Sequence, residues 1–124
     1  MKLKKHTLSQ EPGEPMPGEG HHKVNTVMAV NKRELSAYSC RILRIQPGGH
    51  TATHTHPREH IVLALTGKAT VETDTETTDI TPGTIINIPP DTPHRFKNNT
   101  TKKTALLIQN LYLKNQNPQP QKQI

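Results

Sequence analysis

Gly48-Gly49-His50-Thr51-Ala52-Thr53-His54-Thr55-His56-Pro57-Arg58-Glu59-His60, closed by Gly67 after an apolar run, is the stretch on which the reading of this chain turns. In a strand, side chains two or four residues apart share a face. His54, His56 and His60 have that common parity, so one extended segment aims three imidazoles at one point. His94 follows a turn, Ile88-Pro89-Pro90-Asp91-Thr92-Pro93, that can bring a fourth across. Neutral imidazole is the commonest protein ligand for Fe, Mn, Cu, Ni and Zn. Four histidines so spaced, between turn glycines, predict one bound metal ion rather than four unrelated surface residues.

On either side of this stretch, short β-branched runs alternate with turn signals. The pattern predicts strands over 24–30, 37–45, 60–65, 68–73, 77–80, 84–88, 94–97 and 104–113. Pro47-Gly48-Gly49, Thr66-Gly67 and Pro82-Gly83 read as turns, and Asp74-Thr75-Glu76 as a hairpin tip. Only 31–36 could hold a helical turn. Regular short strands with this punctuation indicate an all-β sandwich or barrel.

Hydrophobic residues make up only 30% of the 124-residue chain, and the deficit lies at its ends. Residues 9–20 and 114–124 have almost no apolar side chains, so they should be mobile or ordered only by a neighbour. The expected organisation is a flexible N-terminal segment over 1–23, a barrel over 24–113 and a disordered C-terminal tail over 114–124. The formal charge of +6 comes from scattered lysines and arginines, with only Tyr38, Phe96 and Tyr112 as aromatics. That offers little for base stacking, so no nucleic-acid partner is expected, and no apolar stretch suggests a membrane. Cys40 is the lone cysteine and reads as a small buried hydrophobe in a cytoplasmic protein.

At the histidine stretch the chain resembles the cupins. Their first motif, Gly-x5-His-x-His-x3/4-Glu-x6-Gly, is matched by Gly48, His54, His56 and Gly67, with His60 where the acidic ligand usually stands. Their second, Gly-x5-Pro-x-Gly-x2-His-x3-Asn, is matched by Gly83, Pro89, His94 and Asn98, with Asp91 in place of the middle glycine. The resemblance implies a double-stranded β-helix, or jelly-roll, barrel that is usually a homodimer, with a metal at one open end. It is similar in particular to small monocupins with an all-histidine site. Glu59 is the alternative ligand to His60, but it has the opposite strand parity, and only a bulge would turn it inward.

Replacing a carboxylate by imidazole leaves a divalent ion its full charge, more Lewis acidic and harder to oxidise. Four protein ligands leave two open positions on an octahedral ion, which suits Fe, Mn or Ni. Cu competes through affinity, and a closed tetrahedral Zn²⁺ would be structural. Asn98 and Gln109 are candidate partners for the ring N–H groups. The resemblance implies that Arg41 reaches a substrate carboxylate or enolate, although strand alternation equally allows it to face solvent or a dimer partner, and that Leu106, Ile108, Asn110 and Phe96 line the substrate pocket. Ser36 and Tyr38 are further candidates. His6, His21, His22 and His50 read as non-ligands in loops or the terminal segment.

Three functions follow. The first is a metal-dependent oxidoreductase of dioxygenase type acting on a small enol, thiol or alkene. The second is non-redox isomerase, decarboxylase or lyase chemistry, for which no general base stands out. The third is a non-enzymatic ligand- or metal-binding cupin. An edge left open by the barrel invites pairing, so 24–30 could cross to a second copy and make a two-fold dimer.

Overall fold

The computed structural model describes residues 5–30 and 37–112. Ser36, the candidate helical turn over 31–36 and the tail over 114–124 lie outside them. Nine strands follow a short 3₁₀ turn at Leu8–Gln10: β1 Glu14–Pro15, β2 His22–Val30, β3 Tyr38–His50, β4 Arg58–Thr66, β5 Ala69–Thr73, β6 Thr77–Ile80, β7 Ile85–Ile88, β8 His94–Lys97 and β9 Thr104–Tyr112. Strands β2, β3, β9, β4 and β7 pair side by side, while β6, β5 and β8 form the opposing layer, all antiparallel. This is the expected jelly-roll barrel. Among the described residues no helix is long and apolar enough to cross a membrane.

The two layers are joined where a turn was expected. Pro47-Gly48-Gly49 does not end a strand; it bends β3, which runs on to His50. Gly48 takes φ +79, open to glycine without strain. The bend redirects the strand's pairing from β9, which ends at Ile45, to β8, where His50 pairs with Lys97. Gly48 N–H donates to Asn98 O at 2.8 Å and Asn98 N–H to Gly49 O at 2.9 Å, locking the corner.

Alternation then sorts the side chains. Arg58, His60, Val62 and Ala64 on β4 are buried, as are Thr104, Leu106, Ile108 and Asn110 on β9. The register stacks them in rows across three strands. Leu43, Leu106 and Ala64 form one row; Arg41, Ile108 and Val62 the next; Ser39, Asn110 and His60 the one above. The barrel interior thus changes from an apolar floor to a polar end within three rows. Each fully buried Leu or Ile of the floor contributes about 1.5–3 kcal/mol.

The stretch before β2, expected to be mobile or held by a neighbour, is held by neighbours. Arg44 donates to Glu11 O at 2.5 Å and Leu8 O at 2.7 Å. β1 pairs with β2, and Met16 enters the core at 6% exposure. β2 pairs with β3 of its own chain, so 24–30 extends that sheet.

Candidate metal centre

Histidines 56, 60 and 94 are buried, and each offers a ring nitrogen within 4.8 Å of the others'. They arrive from different elements. His60 stands on β4 and His94 opens β8, while His56 lies in the 51–57 loop. That loop differs from the single extended segment that parity suggested. Pro57 precedes β4 and has no N–H to give a ladder, so the chain curls instead. Asp91 N–H donates to His56 O at 2.7 Å, tying the loop to the proline-rich turn.

His54 pairs its backbone with His94, through two hydrogen bonds of 3.0 Å each. Its ring stands at the rim, 5.5 Å from that of His56 between centroids and half-exposed, outside the close cluster. The structure therefore brings three of the four predicted ligands together and places the fourth beside them. Glu59 is on the opposite face of β4 from His60, as its alternation with the buried residues shows.

Hydrogen bonds orient the rings. His60 donates Nδ1–H to Asn110 Oδ1 at 2.5 Å, and His94 donates Nδ1–H to the Thr92 carbonyl at 2.8 Å. With the proton on Nδ1, Nε2 of each neutral ring carries a lone pair. The Nε2 atoms of His56, His60 and His94 are all buried without a hydrogen-bond partner. A buried polar atom left so is costly, and three such ring nitrogens gathered together suit a cation. The donor set fits a divalent transition metal.

The surroundings keep these rings neutral. Burial, then Arg58, His60, His94 and His54, push His56 down to about 2. Burial, then His94 and Arg58, push His60 down to about 3, against the opposing bond from Asn110. His94 is lowered too, first by burial. Neutral imidazole is the ligating form.

Asn98 and Gln109 do not take the supporting role expected of them. Asn98 clamps the loop before β9, donating to Ile45 O and Lys102 O at 2.9 and 2.7 Å. Gln109 alternates to the outer face of β9. Asn110, expected in the substrate pocket, holds His60 instead and donates to Ser39 Oγ at 3.1 Å; Ser39 Oγ lies 3.3 Å from Tyr112 OH. Leu106, Ile108 and Phe96 are fully buried in the core beneath the histidines, with the Phe96 ring edge-on to His94 at 5.8 Å.

Arg41 faces inward at 8% exposure, its Nη1 3.4 Å from Met16 Sδ. Sequence reasoning missed Arg58, although it shares the parity of His60. It is 3% exposed, its guanidinium lies 5.5 Å from the Tyr112 ring centroid, and burial holds it down at about 10. His21, read from the sequence as a non-ligand, stands against His54 with ring centroids 5.3 Å apart. A cleft of about 470 Å³ opens between the β5–β6 hairpin and β7, lined by Val71, Thr73, Ile86, Ile88 and Thr92. Thr92 also supplies the carbonyl that holds His94.

The model of the Cupin domain family matches residues 41–109, and the chain belongs to that family. No curated protein sequence matches it. Among solved structures, the polyketide cyclase RemF of Streptomyces resistomycificus is similar with a TM-score of 0.79 at 19% identity, over 89% of this chain and 80% of that one. A Cupin 2 conserved barrel domain protein of Salinispora arenicola gives 0.73 at 16% identity, over 90% of each chain. A predicted oxalate decarboxylase of Thermotoga maritima gives 0.68 at 17% identity, over 73% of this chain and 81% of that one. At such identities the likeness is one of fold.

Proposed function

We propose that this cupin binds one divalent transition metal ion through His56, His60 and His94, with His54 as the fourth ligand, and is a small metal-dependent oxidoreductase of dioxygenase type. The proposal rests on three buried histidines that each offer a ring nitrogen within 4.8 Å of the others' and whose Nε2 atoms have no hydrogen-bond partner. Four imidazoles would leave two open positions on an octahedral ion, which suits Fe, Mn or Ni, and Cu competes by affinity. When bound, the ion would supply Lewis acidity and, if redox-active, an electron path between O₂ and substrate.

The chain's own residues do the rest. Asn110 and the Thr92 carbonyl fix two rings. The apolar floor of Leu106, Ile108 and Phe96 excludes water from below. Arg41 and Arg58 point into the barrel, where a guanidinium can hold a carboxylate or enolate in a bidentate fork. The cleft beside β7 admits a small organic molecule. The test is oxygen consumption by iron- or manganese-loaded protein over diketones, thiols and phenylpropenes. Substrate-dependent uptake is expected; none across the series would refute the redox assignment.

Non-redox chemistry is the second reading, and one observation favours it. Tyr112 OH, within reach of Ser39 and beside Arg58, supplies an acid/base group that the sequence had not offered. The polyketide cyclase and predicted oxalate decarboxylase among the fold neighbours support this reading. Equal turnover with Zn²⁺ under nitrogen would select it.

A homodimer in the cytoplasm completes the proposal. An apolar row crosses one sheet through Val27, Ile42, Leu107, Leu63 and Ile85, buried at Val27 and Ile42 and opening to the surface towards Ile85. It ends in the 66%-exposed Ile85, a surface suited to a two-fold contact. Cys40, buried and free, fits a reducing compartment.

A further inference from the structure

We propose that His21 is a positioning residue of the metal centre: it holds the His54 imidazole edge-on, and so decides whether the centre is built from three histidines or four. This deepens the metal assignment above and rests on it.

The N-terminal segment is shaped to deliver this ring. Gly20 sits at φ +86, and a Cβ there would fall 2.8 Å from Ala52 Cβ. The chain can pass this close to the 51–57 loop only with glycine at that position. One residue later, His21 Nδ1 accepts the Ala52 N–H at 3.1 Å. That bond anchors His21 to the loop that carries His54 and His56. The His21 and His54 rings then meet at 5.3 Å and 81°, and the His54 and His56 rings at 5.5 Å and 85°.

His54 is fixed along its backbone by its pairing with His94. Beyond that pairing, the His54 imidazole is contacted by the His21 ring on one side and the His56 ring on another. Edge-to-face aromatic contacts restrict such a ring and stabilise one orientation. Without His21, the His54 ring loses one of the contacts that orient it, and the centre shifts towards a three-histidine site. The choice between three and four imidazoles also biases which metal is preferred. The stretch that looked like a bare polar leader therefore forms part of the site.

The experiment titrates Co²⁺ into chelator-stripped full-length wild type, His21→Ala, His54→Ala and the double variant, following visible absorption. His21→Ala should bind Co²⁺ about threefold to tenfold more weakly, the scale of one aromatic contact. Its spectrum should move towards that of His54→Ala. The double variant should match His54→Ala alone, because His21 acts through His54. Additive losses, or an unchanged His21→Ala, would overturn the proposal. His21→Phe keeps the ring and loses the Ala52 bond, and should stay near wild type. If it is as weak as His21→Ala, the ring contact is not the cause and the proposal falls. Wild type that takes up no Co²⁺ overturns the metal assignment, and this with it; normal uptake with an indifferent His21 overturns this alone.

Discussion

His60 donates its Nδ1–H to Asn110 Oδ1 across 2.5 Å, with 50 positions of chain between them. The two face each other because β4 and β9 pair in a register that sets His60 opposite Asn110. One amide thereby fixes the tautomer of a buried ring and turns its Nε2 towards His56 and His94. Replacing Asn110 by Leu keeps much of the volume and removes the acceptor. Metal affinity should fall about 10- to 100-fold. The metal-free fold should lose about 1–3 kcal/mol, since a buried N–H is left unpaired. Competition against a chelator and urea unfolding of the stripped protein would measure the two losses separately.

Acid should unfold the metal-free protein well before its carboxylates titrate. Folded, His60 is held down at about 3 and His56 at about 2, from an ordinary 6.5. Below 6.5 the unfolded chain therefore binds protons that the folded chain does not. Stability is full above that value and falls as the pH drops towards the folded pKa values. His60 alone should cost about 1.4 kcal/mol per pH unit in this window. The urea midpoint of stripped protein should drop sharply between about pH 7 and about pH 5. A flat midpoint would mean that the rings protonate freely in the fold.

Two turn glycines should respond differently to alanine. Gly67 has φ +69, and a Cβ there would lie 2.4 Å from the Lys103 carbonyl oxygen and 3.0 Å from Thr104 Cα. Gly83 has φ +90 with nothing within 4 Å. Gly83→Ala should cost only the left-handed backbone penalty, about 1–2 kcal/mol. Gly67→Ala must also displace backbone and should cost clearly more. Thermal melts of the pair would show whether the order holds.

How much of this was legible follows from which interactions are local. Strand alternation correctly paired His60 with an inward face and set Glu59 outward, because the side-chain period of two is a property of the backbone itself. The same alternation carried Arg58, and the signal was there to read: 58, 60, 62 and 64 are one face of β4. The Pro47-Gly48-Gly49 turn was misread because a glycine at positive φ serves a turn or a strand corner equally. Only the distant partners, Asn98 and Lys97, decide between them. His21 was invisible for a similar reason. Its place depends on Gly20 meeting Ala52 and on Arg44 holding Leu8 and Glu11, contacts that no local pattern encodes.

The apolar row makes a prediction about assembly. Ile85→Arg places a charge at its exposed end without touching the core, so the folding free energy should change by about 0.5 kcal/mol or less. Light scattering should report a dimer for the wild type, as proposed, and a monomer for this variant. A variant that stays dimeric would put the interface elsewhere.

Elemental analysis tests directly whether His56, His60 and His94 are metal ligands. Untagged protein purified without chelator should carry about one equivalent of Fe, Mn, Ni or Cu. A His60→Ala variant prepared beside it should have lost most of that metal. Wild type that holds no metal even after reconstitution would contradict the account, as would a His60→Ala variant that binds as much as wild type.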